Sequence, residues 1–396
     1  MSTRVLISPA GPSLNRSKYG KEYYLLENIA ESDPDLQIEA YFKKISEIPP
    51  VANLAAHSIK EDTSRNRYYF DCFKKAREII NSGDVDIYHH LNFHYRFFNP
   101  LAISGLVDDV PYVVGPAEPP HTIPDHSKRT FIKEMTGVNW SDETLDRVLP
   151  VADWMRFKIY NRIREFLFRL TLEQADRIVV VNKETASMYA EYVPRSKIEV
   201  IPYGVVVDRF KTGSPDESTE ILSIGSLYTR KGCDLLIEAW ASVATEYPES
   251  TLNIIGKGPQ RETLERRVED LEIQDTVVFH GYVERDVLLD MLASSRAFVH
   301  PSRSEGFPHV RLEAMASGCP VIASNVTGTN EMIRDGKDGL VIPTDDVDRL
   351  TEAISTLLDS PEKAKEMGEN ARTHAKQNFD WEEIGKRFAE VYRDIL

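Results

Sequence analysis

Two glutamates, Glu305 and Glu313, bracket the segment Gly-Phe-Pro-His-Val-Arg-Leu, and this pairing carries more chemical content than any other part of the chain. From Ser302 to Ser324 the sequence reads as a strand end, a loop, a helix and a second strand. Pro308 suits the first turn of that helix, where no N–H is needed. Glu305 then precedes the helix and Glu313 lies about a turn and a half inside it. The helix N-terminus between them offers free N–H groups and a positive dipole end, which suit a diphosphate. A carboxylate on either side of such an anion cradle suits a sugar nucleotide, with Glu313 for ribose hydroxyls and Glu305 for the sugar. The plainer alternative makes Glu305 a loop carboxylate and Glu313 a solvated helix residue. Against it, Val310–Ala316 is small and apolar apart from Arg311 and Glu313. That composition predicts close packing, where an unpartnered carboxylate is costly.

A second cluster lies upstream in Ile224-Gly-Ser-Leu-Tyr-Thr-Arg-Lys-Gly232. Gly225 at a strand end permits close backbone approach, and Arg230 with Lys231 places two cations where strand ends meet a crevice. A guanidinium pairs with phosphate oxygens as a fork, and a lysine adds a point charge. Cations are disfavoured at helix N-termini, which weighs against two merely solvated side chains at a helix start. Gly256 and Gly258 form a glycine turn after the next strand, and Gly281-Tyr-Val283 follows the strand beyond.

Together, Glu305-x7-Glu313 with Gly306, Phe307, Gly318 and Pro320, the Arg230–Lys231 pair and these turns resemble the family-four glycosyltransferases, the retaining enzymes of the GT-B fold. The resemblance implies transfer of a hexosyl group from a nucleotide-diphosphate sugar to a hydroxyl acceptor, either a glycan, a lipid-linked species or a small molecule. It implies catalytic roles for Glu305, Arg230 and Lys231. Donor contacts are implied for Glu313, Gly225, Gly256, Val283, Gly306, Phe307, Pro308 and His309. The cations and the helix N-terminus would neutralise the leaving diphosphate, so no metal or other cofactor is expected. Glu305 could be a nucleophile in a double displacement, or could bond the donor sugar while the acceptor attacks on the leaving-group face. Val326-Thr-Gly328-Thr-Asn-Glu331 also resembles a family loop. In the first half the resemblance thins. Gly20 stands where paired glycines are usual, Tyr203 where Asn is common, and Gly115-Pro116 where a His is often found. His90, His94 and His121 remain acceptor-side candidates.

The elements that must position these residues follow a βα alternation along nearly the whole chain, the signature of parallel sheets. Strands are predicted near 5–8, 38–42, 87–90, 112–114, 178–181 and 198–201, then 220–224, 252–255, 277–280, 297–300 and 321–323. Helices are predicted over 21–30, 67–81, 154–170 and 183–192, then 234–245, 261–271, 286–292 and 310–317. The expected fold class is α/β of the GT-B type, with two Rossmann-like domains whose parallel sheets face a deep interdomain cleft. Residues 1–210 would bind acceptor, 211–378 would bind donor, and 379–396 would form a helix crossing back to the first domain. The polar stretch Lys211–Thr219 is the linker candidate.

At 396 residues, two domains are the prior. A formal charge of −15 argues against nucleic acid as a partner. Cys72, Cys233 and Cys319 give neither a disulfide framework nor a zinc pattern. No apolar run reaches ~18 residues, and Arg4–Ser8 reads as a strand with no signal peptide before it. The expectation is a soluble cytoplasmic protein. Asp84-Val-Asp86 has metal-pair spacing but reads better as a polar strand start. Trp154–Leu170 is basic and aromatic in an acidic chain. Met155, Ile159, Ile163, Phe166, Leu167 and Leu170 share one face, Lys158, Arg162 and Arg169 lie opposite, and Trp154, Phe157 and Phe168 form a stripe beside the cations. Two readings stand: ordinary packing, or peripheral contact with a membrane surface. Two other functions compete with transfer. A GT-B sugar-nucleotide epimerase would need no acceptor, and a non-catalytic sugar-nucleotide binding protein would not need the intact charged quartet.

Overall fold

The computed structural model describes residues 2–15, 20–59, 65–91, 99–103, 105, 107, 110–117, 119 and 158–396, with backbone alone at 65, 66, 103 and 158–161. His94, His121 and the Trp154–Phe157 part of the basic segment lie outside the described residues. Seven strands form one sheet: β1 (Thr3–Leu14), β2 (Leu36–Ile45), β3 (Leu54–Ser58), β4 (Ile87–His90), β5 (Tyr112–Ala117), β6 (Arg177–Val180) and β7 (Ile198–Val200), in the order β3-β2-β1-β4-β5-β6-β7. Six form the other: β8 (Glu220–Ile224), β9 (Thr251–Ile255), β10 (Val277–Gly281), β11 (Ala297–His300), β12 (Val321–Ser324) and β13 (Gly339–Ile342), in the order β10-β9-β8-β11-β12-β13. All described pairings are parallel.

Parallel strands covered on both faces read as largely apolar runs, and the central strands are buried on both sides, with His89, His90, His300 and Ser324 as the polar residues among them. Every residue of β4, β5, β11 and β12 is buried. Strand alternation divides each sheet between two cores. Val5 and Ile7 face α1 (Lys21–Ser32), whereas Leu6 and Tyr88 face α2 (Arg65–Ser82), α3 (Pro100–Ile103), α4 (Lys158–Gln174) and α5 (Lys183–Tyr189). In the second sheet Ile221 and Ile322 face α6 (Cys233–Glu246), α7 (Arg261–Asp270) and α11 (Val347–Asp359). Leu222 and Phe298 face α8 (Arg285–Ser294), α9 (His309–Ala316), α10 (Thr329–Met332) and α12 (Pro361–Asn378).

The last helix, α13 (Trp381–Arg393), is the exception to this sequential order. Trp381, Ile384, Phe388, Val391 and Tyr392 recur on one face and join the core of the first sheet, against α1. Gly385 permits the crossing, since a Cβ there would sit 2.4 Å from the carbonyl oxygen of Asn28. Tyr392 Oη reaches His89 Nδ1 at 2.6 Å, while His89 Nε2 lies 2.6 Å from the carbonyl of Gly115. That carbonyl can only accept, so the neutral ring carries its proton on Nε2.

Several expectations change. β3, β13, α11 and α12 lie beyond the elements predicted above. The stretch Lys211–Thr219 is pinned rather than loose, because buried Arg296 donates to the carbonyls of Pro215 and Asp216 as well as to Leu357 and Leu358. On α4 the packed face differs from the predicted one. Phe168 and Leu172 are buried, with Phe168 edge-on to Tyr189 and Tyr192, so Phe168 belongs to the core rather than to a stripe beside cations. Ile163 and Phe166, predicted on the apolar face, are 54% and 60% exposed.

Candidate functional site

In the second sheet the strand order reverses between β8 and β11, and ligands of open parallel sheets bind beyond the carboxyl ends of strands at such a point. Both charged clusters arrive there by topology. Gly225, Arg230 and Lys231 follow β8, and Glu305 follows β11. The two loops are bound together: Arg303 donates to both carboxylate oxygens of Asp234 at 2.8 and 2.7 Å, to Asp345 at 2.6 Å and to the carbonyl of Thr229 at 2.6 Å. Arg303 N also donates to the Arg230 carbonyl. Gly256 completes the floor. It has φ +148, and a Cβ there would sit 1.8 Å from the Gly225 carbonyl oxygen.

Glu305 is 7% exposed and is held by cations on one side. Lys231 Nζ lies 2.5 Å from Oε1, and Arg230 Nη1 lies 3.6 Å from Oε2. Burial pushes Lys231 below the usual lysine range, an effect that the Glu305 charge opposes. Arg230 is half exposed, and its Nη1 also donates to the Ser304 carbonyl at 3.3 Å. Behind Glu305 stands His300, 2% exposed, with Nε2 3.5 Å from Oε1. Burial first, then the charges of Arg311, Lys231 and Arg230, hold His300 well below the ordinary histidine value.

Glu313, the fifth residue of α9, is also 7% exposed. Arg285 Nη2 pairs with its Oε1 at 2.7 Å, and its Oε2 has no hydrogen-bond partner among the described residues. An orphaned buried carboxylate oxygen is costly and marks a place where a donor belongs. Glu313 and His309 line a cleft of about 510 Å³ between the sheets, together with Gly20, Lys21, Val205, Arg285 and Trp381. Glu305, Arg230 and Lys231 do not line it. They stand at the neighbouring strand ends, where Lys231 and Arg230 pair with the Glu305 carboxylate. Pro308 is the residue before α9 and gives its first turn no side-chain cap. Phe307 packs edge-on and His309 tilted against Tyr203, with ring centroids 5.7 and 4.8 Å away. Gly306 O accepts from Asn182 Nδ2 at 3.4 Å, so this loop also touches the first sheet's domain. Gly281 O accepts from Gly256 N, bringing Val283 beside the Gly256 turn.

Among the acceptor-side candidates, Gly20 lines the cleft. His90 is 1% exposed and packs edge-on against Phe73 of α2. The spacing argument missed Arg285, His300, Arg303 and Arg311. The last two sit inside the Ser302–Ser324 stretch, and for Arg311 the signal was a basic residue in a helix that is small and apolar apart from it and Glu313.

The family model described as "Glycosyl transferases group 1" matches residues 207–374, and that described as "Glycosyltransferase Family 4" matches residues 49–209. The chain is 34% identical over 274 residues to the GDP-mannose-dependent alpha-(1-6)-phosphatidylinositol monomannoside mannosyltransferase of Mycolicibacterium smegmatis, covering 64% of this chain and 67% of that one. With the enzyme of the same name from Mycobacterium tuberculosis it shares 32% identity over 240 residues, covering 55% of this chain and 62% of that one. The solved sucrose-phosphate synthase of Thermosynechococcus elongatus superposes with a TM-score of 0.70 at 22% identity, covering 100% of this chain and 99% of that one. The fold is therefore GT-B, as the residues around Glu305 and Glu313 led one to expect.

Proposed function

This chain belongs to the family-four glycosyltransferases, and on that premise we propose that it is a retaining, metal-independent hexosyltransferase whose donor is a nucleotide-diphosphate sugar. The observation that carries the donor reading is the orphaned Oε2 of buried Glu313 at the cleft wall. Ribose offers two hydroxyl donors, one for this oxygen and one in place of the Arg285 contact. The diphosphate then lies over the first turn of α9, within reach of Arg230 and Lys231, and the sugar meets Glu305. As the bond from the anomeric carbon to the β-phosphate oxygen breaks, Lys231 and Arg230 take up the charge that develops on that oxygen. The acceptor oxygen bonds to the anomeric carbon on the same face and its proton passes to the departing phosphate. Preorganised cations of this kind act where charge develops and need no reorganisation.

The names of the mycobacterial relatives make GDP-mannose and a phosphoinositide-linked acceptor the first pair to try. A membrane-borne acceptor also fits α4 and α2. α4 exposes Ile163 and Phe166 together with Arg162 and Arg169, which the expected wheel sets on opposite faces, and α2 exposes Phe70 together with Arg67, Lys74 and Arg77. Both helices cover the same sheet face. Aromatic and basic side chains on one surface of an acidic chain fit an anionic bilayer. The direct test is incubation with GDP-mannose, UDP-glucose or ADP-glucose and a lipid extract, followed by assay of nucleotide release and the anomer formed. Transfer with retained configuration that survives chelation supports the reading. Donor interconversion without acceptor would establish an epimerase instead, and binding without turnover a non-catalytic protein.

A further inference from the structure

Helix α9 carries a guanidinium that the donor site does not use. Arg311 is fully buried between the two glutamates, and its Nη2 has no hydrogen-bond partner among the described residues. Burial pushes it down to about 10. A buried charge with an unmade bond is costly, and replacing such groups by apolar ones is often neutral or stabilising. Its two satisfied nitrogens point to what it does. Nε donates to His300 Nδ1 at 3.0 Å, and Nη1 donates to Thr329 Oγ1 at 2.8 Å.

The first bond sets a tautomer. A guanidinium only donates, so His300 Nδ1 accepts and its proton sits on Nε2. Nε2 lies 3.2 Å from Ser302 Oγ and 3.5 Å from Glu305 Oε1. The neutral ring thus presents its N–H to Ser302 Oγ and to the back of Glu305, whose front is held by Lys231.

The second bond sets a loop. Thr329 Oγ1 also accepts from Val326 N at 3.2 Å and donates to the Ser324 carbonyl at 3.0 Å, which fixes the turn after β12. That turn is where the two domains meet. Glu331 accepts from the backbone N–H of Lys183 at 2.8 and 2.9 Å and of Glu184 at 3.3 Å. In return Glu184 Oε2 accepts from Gly328 N at 3.0 Å. Each domain thus caps a backbone terminus of the other.

We propose that Arg311 is a positioning residue that ties this interdomain contact, through Thr329, to the Glu305 carboxylate, through His300. The inference rests on the glycosyltransferase reading above, in which Glu305 meets the donor sugar. Its consequence is that the carboxylate is held in register when the domains meet at Glu331. The groups facing His300 are Arg311 of α9, Arg230 and Lys231 of the turn after β8, and Glu305 of its own loop. Removing Arg311 removes one of three cations that keep the ring neutral, so the ring gains a proton at a higher pH and competes with Lys231 for Glu305.

The test compares native protein with Arg311→Met, Arg311→Lys, Glu331→Ala and the Arg311→Met/Glu331→Ala pair, measuring kcat and donor KM between pH 5 and 9. The expected result for Arg311→Met is a loss of about ten-fold in kcat, the scale of such couplings, with donor KM little changed. Its acid limb should move to higher pH, Arg311→Lys should recover part of kcat, and the double variant should lose less than the product of the single losses. Native kcat in Arg311→Met, or losses that multiply with an unmoved pH profile, overturns the proposal. Imidazole nitrogen NMR of the native protein and Arg311→Met tests it independently of turnover. A neutral Nε2–H ring that persists to lower pH in the native protein than in Arg311→Met supports it, and a neutral Nδ1–H tautomer in the native protein, or equal protonation of Nδ1 in both proteins, overturns it. Absence of transfer by native protein would instead count against the glycosyltransferase reading.

Discussion

Lys231 and Glu305 are the closest charged pair at the strand ends, and each is costly to bury alone. On the proposed reading, a leaving diphosphate takes over Lys231 and frees Glu305 for the sugar. Replacing Lys231 by Met should lower kcat by roughly 10²–10³-fold, the usual effect of losing one preorganised donor, about 2.7–4 kcal/mol. Steady-state kinetics with the true donor would reveal it, and a change confined to KM would argue against a role in bond breaking. Because burial lowers the Lys231 pKa, its proton is lost at lower pH than from a free lysine. The alkaline limb of the kcat profile should therefore begin early and vanish in Lys231→Met. At this scale the sequence was partly legible. Spacing found Glu305, Glu313 and the cation pair, whose types announce their chemistry. It did not find Arg285, because a residue at the start of α8 meets Glu313 only through tertiary packing. His300 was passed over because a strand-end histidine looks solvated until burial is known, and Arg311 because its partners His300 and Thr329 are brought to it by tertiary packing.

At the scale of elements, α13 and α4 each make a separable claim. The α13 crossing depends on contact between Gly385 and the backbone of Asn28. Gly385→Ala should destabilise the protein by about 1–3 kcal/mol through overpacking, visible as a lower urea midpoint, and an unchanged midpoint would mean that α13 does not pack as described. The α4 claim concerns its outer face. Ser substitutions at Ile163 and Phe166, or charge reversal at Arg162 and Arg169, should weaken binding to anionic vesicles in a flotation assay while leaving the melting temperature nearly unchanged. No vesicle binding by the native protein would end the membrane reading. Strand positions were readable because buried parallel strands are short apolar runs. The amphipathic α11 carries an equally plain period in Leu350, Ala353, Ile354, Leu357 and Leu358, whereas β3 is largely exposed and its letters alternate poorly. The packed side of α4 was misjudged because two apolar stripes compete on one helix, and the neighbouring Tyr189 and Tyr192 decide between them.

At the scale of the whole molecule, two sheets share one chain through a pinned connection, a returning helix and the reciprocal caps at Glu184 and Glu331. The returning helix also shapes acid stability. His89, buried against Tyr392 and the Gly115 carbonyl, is held down to about 4 from 6.5, chiefly by burial. Between those values the unfolded chain binds a proton that the native state does not, so stability falls as pH falls through that window. The loss approaches roughly 3 kcal/mol at 1.36 kcal/mol per unit. Buried neutral His300 acts in the same direction. Denaturant midpoints at pH 7 and pH 5 should reflect about 2 kcal/mol of this loss, since pH 5 lies about 1.5 units below 6.5, and the difference should be smaller in His89→Gln. The GT-B architecture was legible because βα alternation and the Glu305–Glu313 motif constrain it together, while the first domain's side of the cleft was not, since a wall built from Gly20, Lys21, Val205 and Trp381 has no letter pattern of its own. The central claim is that Glu313 holds the ribose of a nucleotide-diphosphate sugar. Thermal-shift measurements with UDP, GDP and ADP on native protein and Glu313→Ala test it most directly. The account predicts that one nucleotide, at about 100 times its Kd, stabilises the native protein by about 2.7 kcal/mol and that this shift is lost in Glu313→Ala. An equal shift in both proteins, or none with any nucleotide, would contradict it.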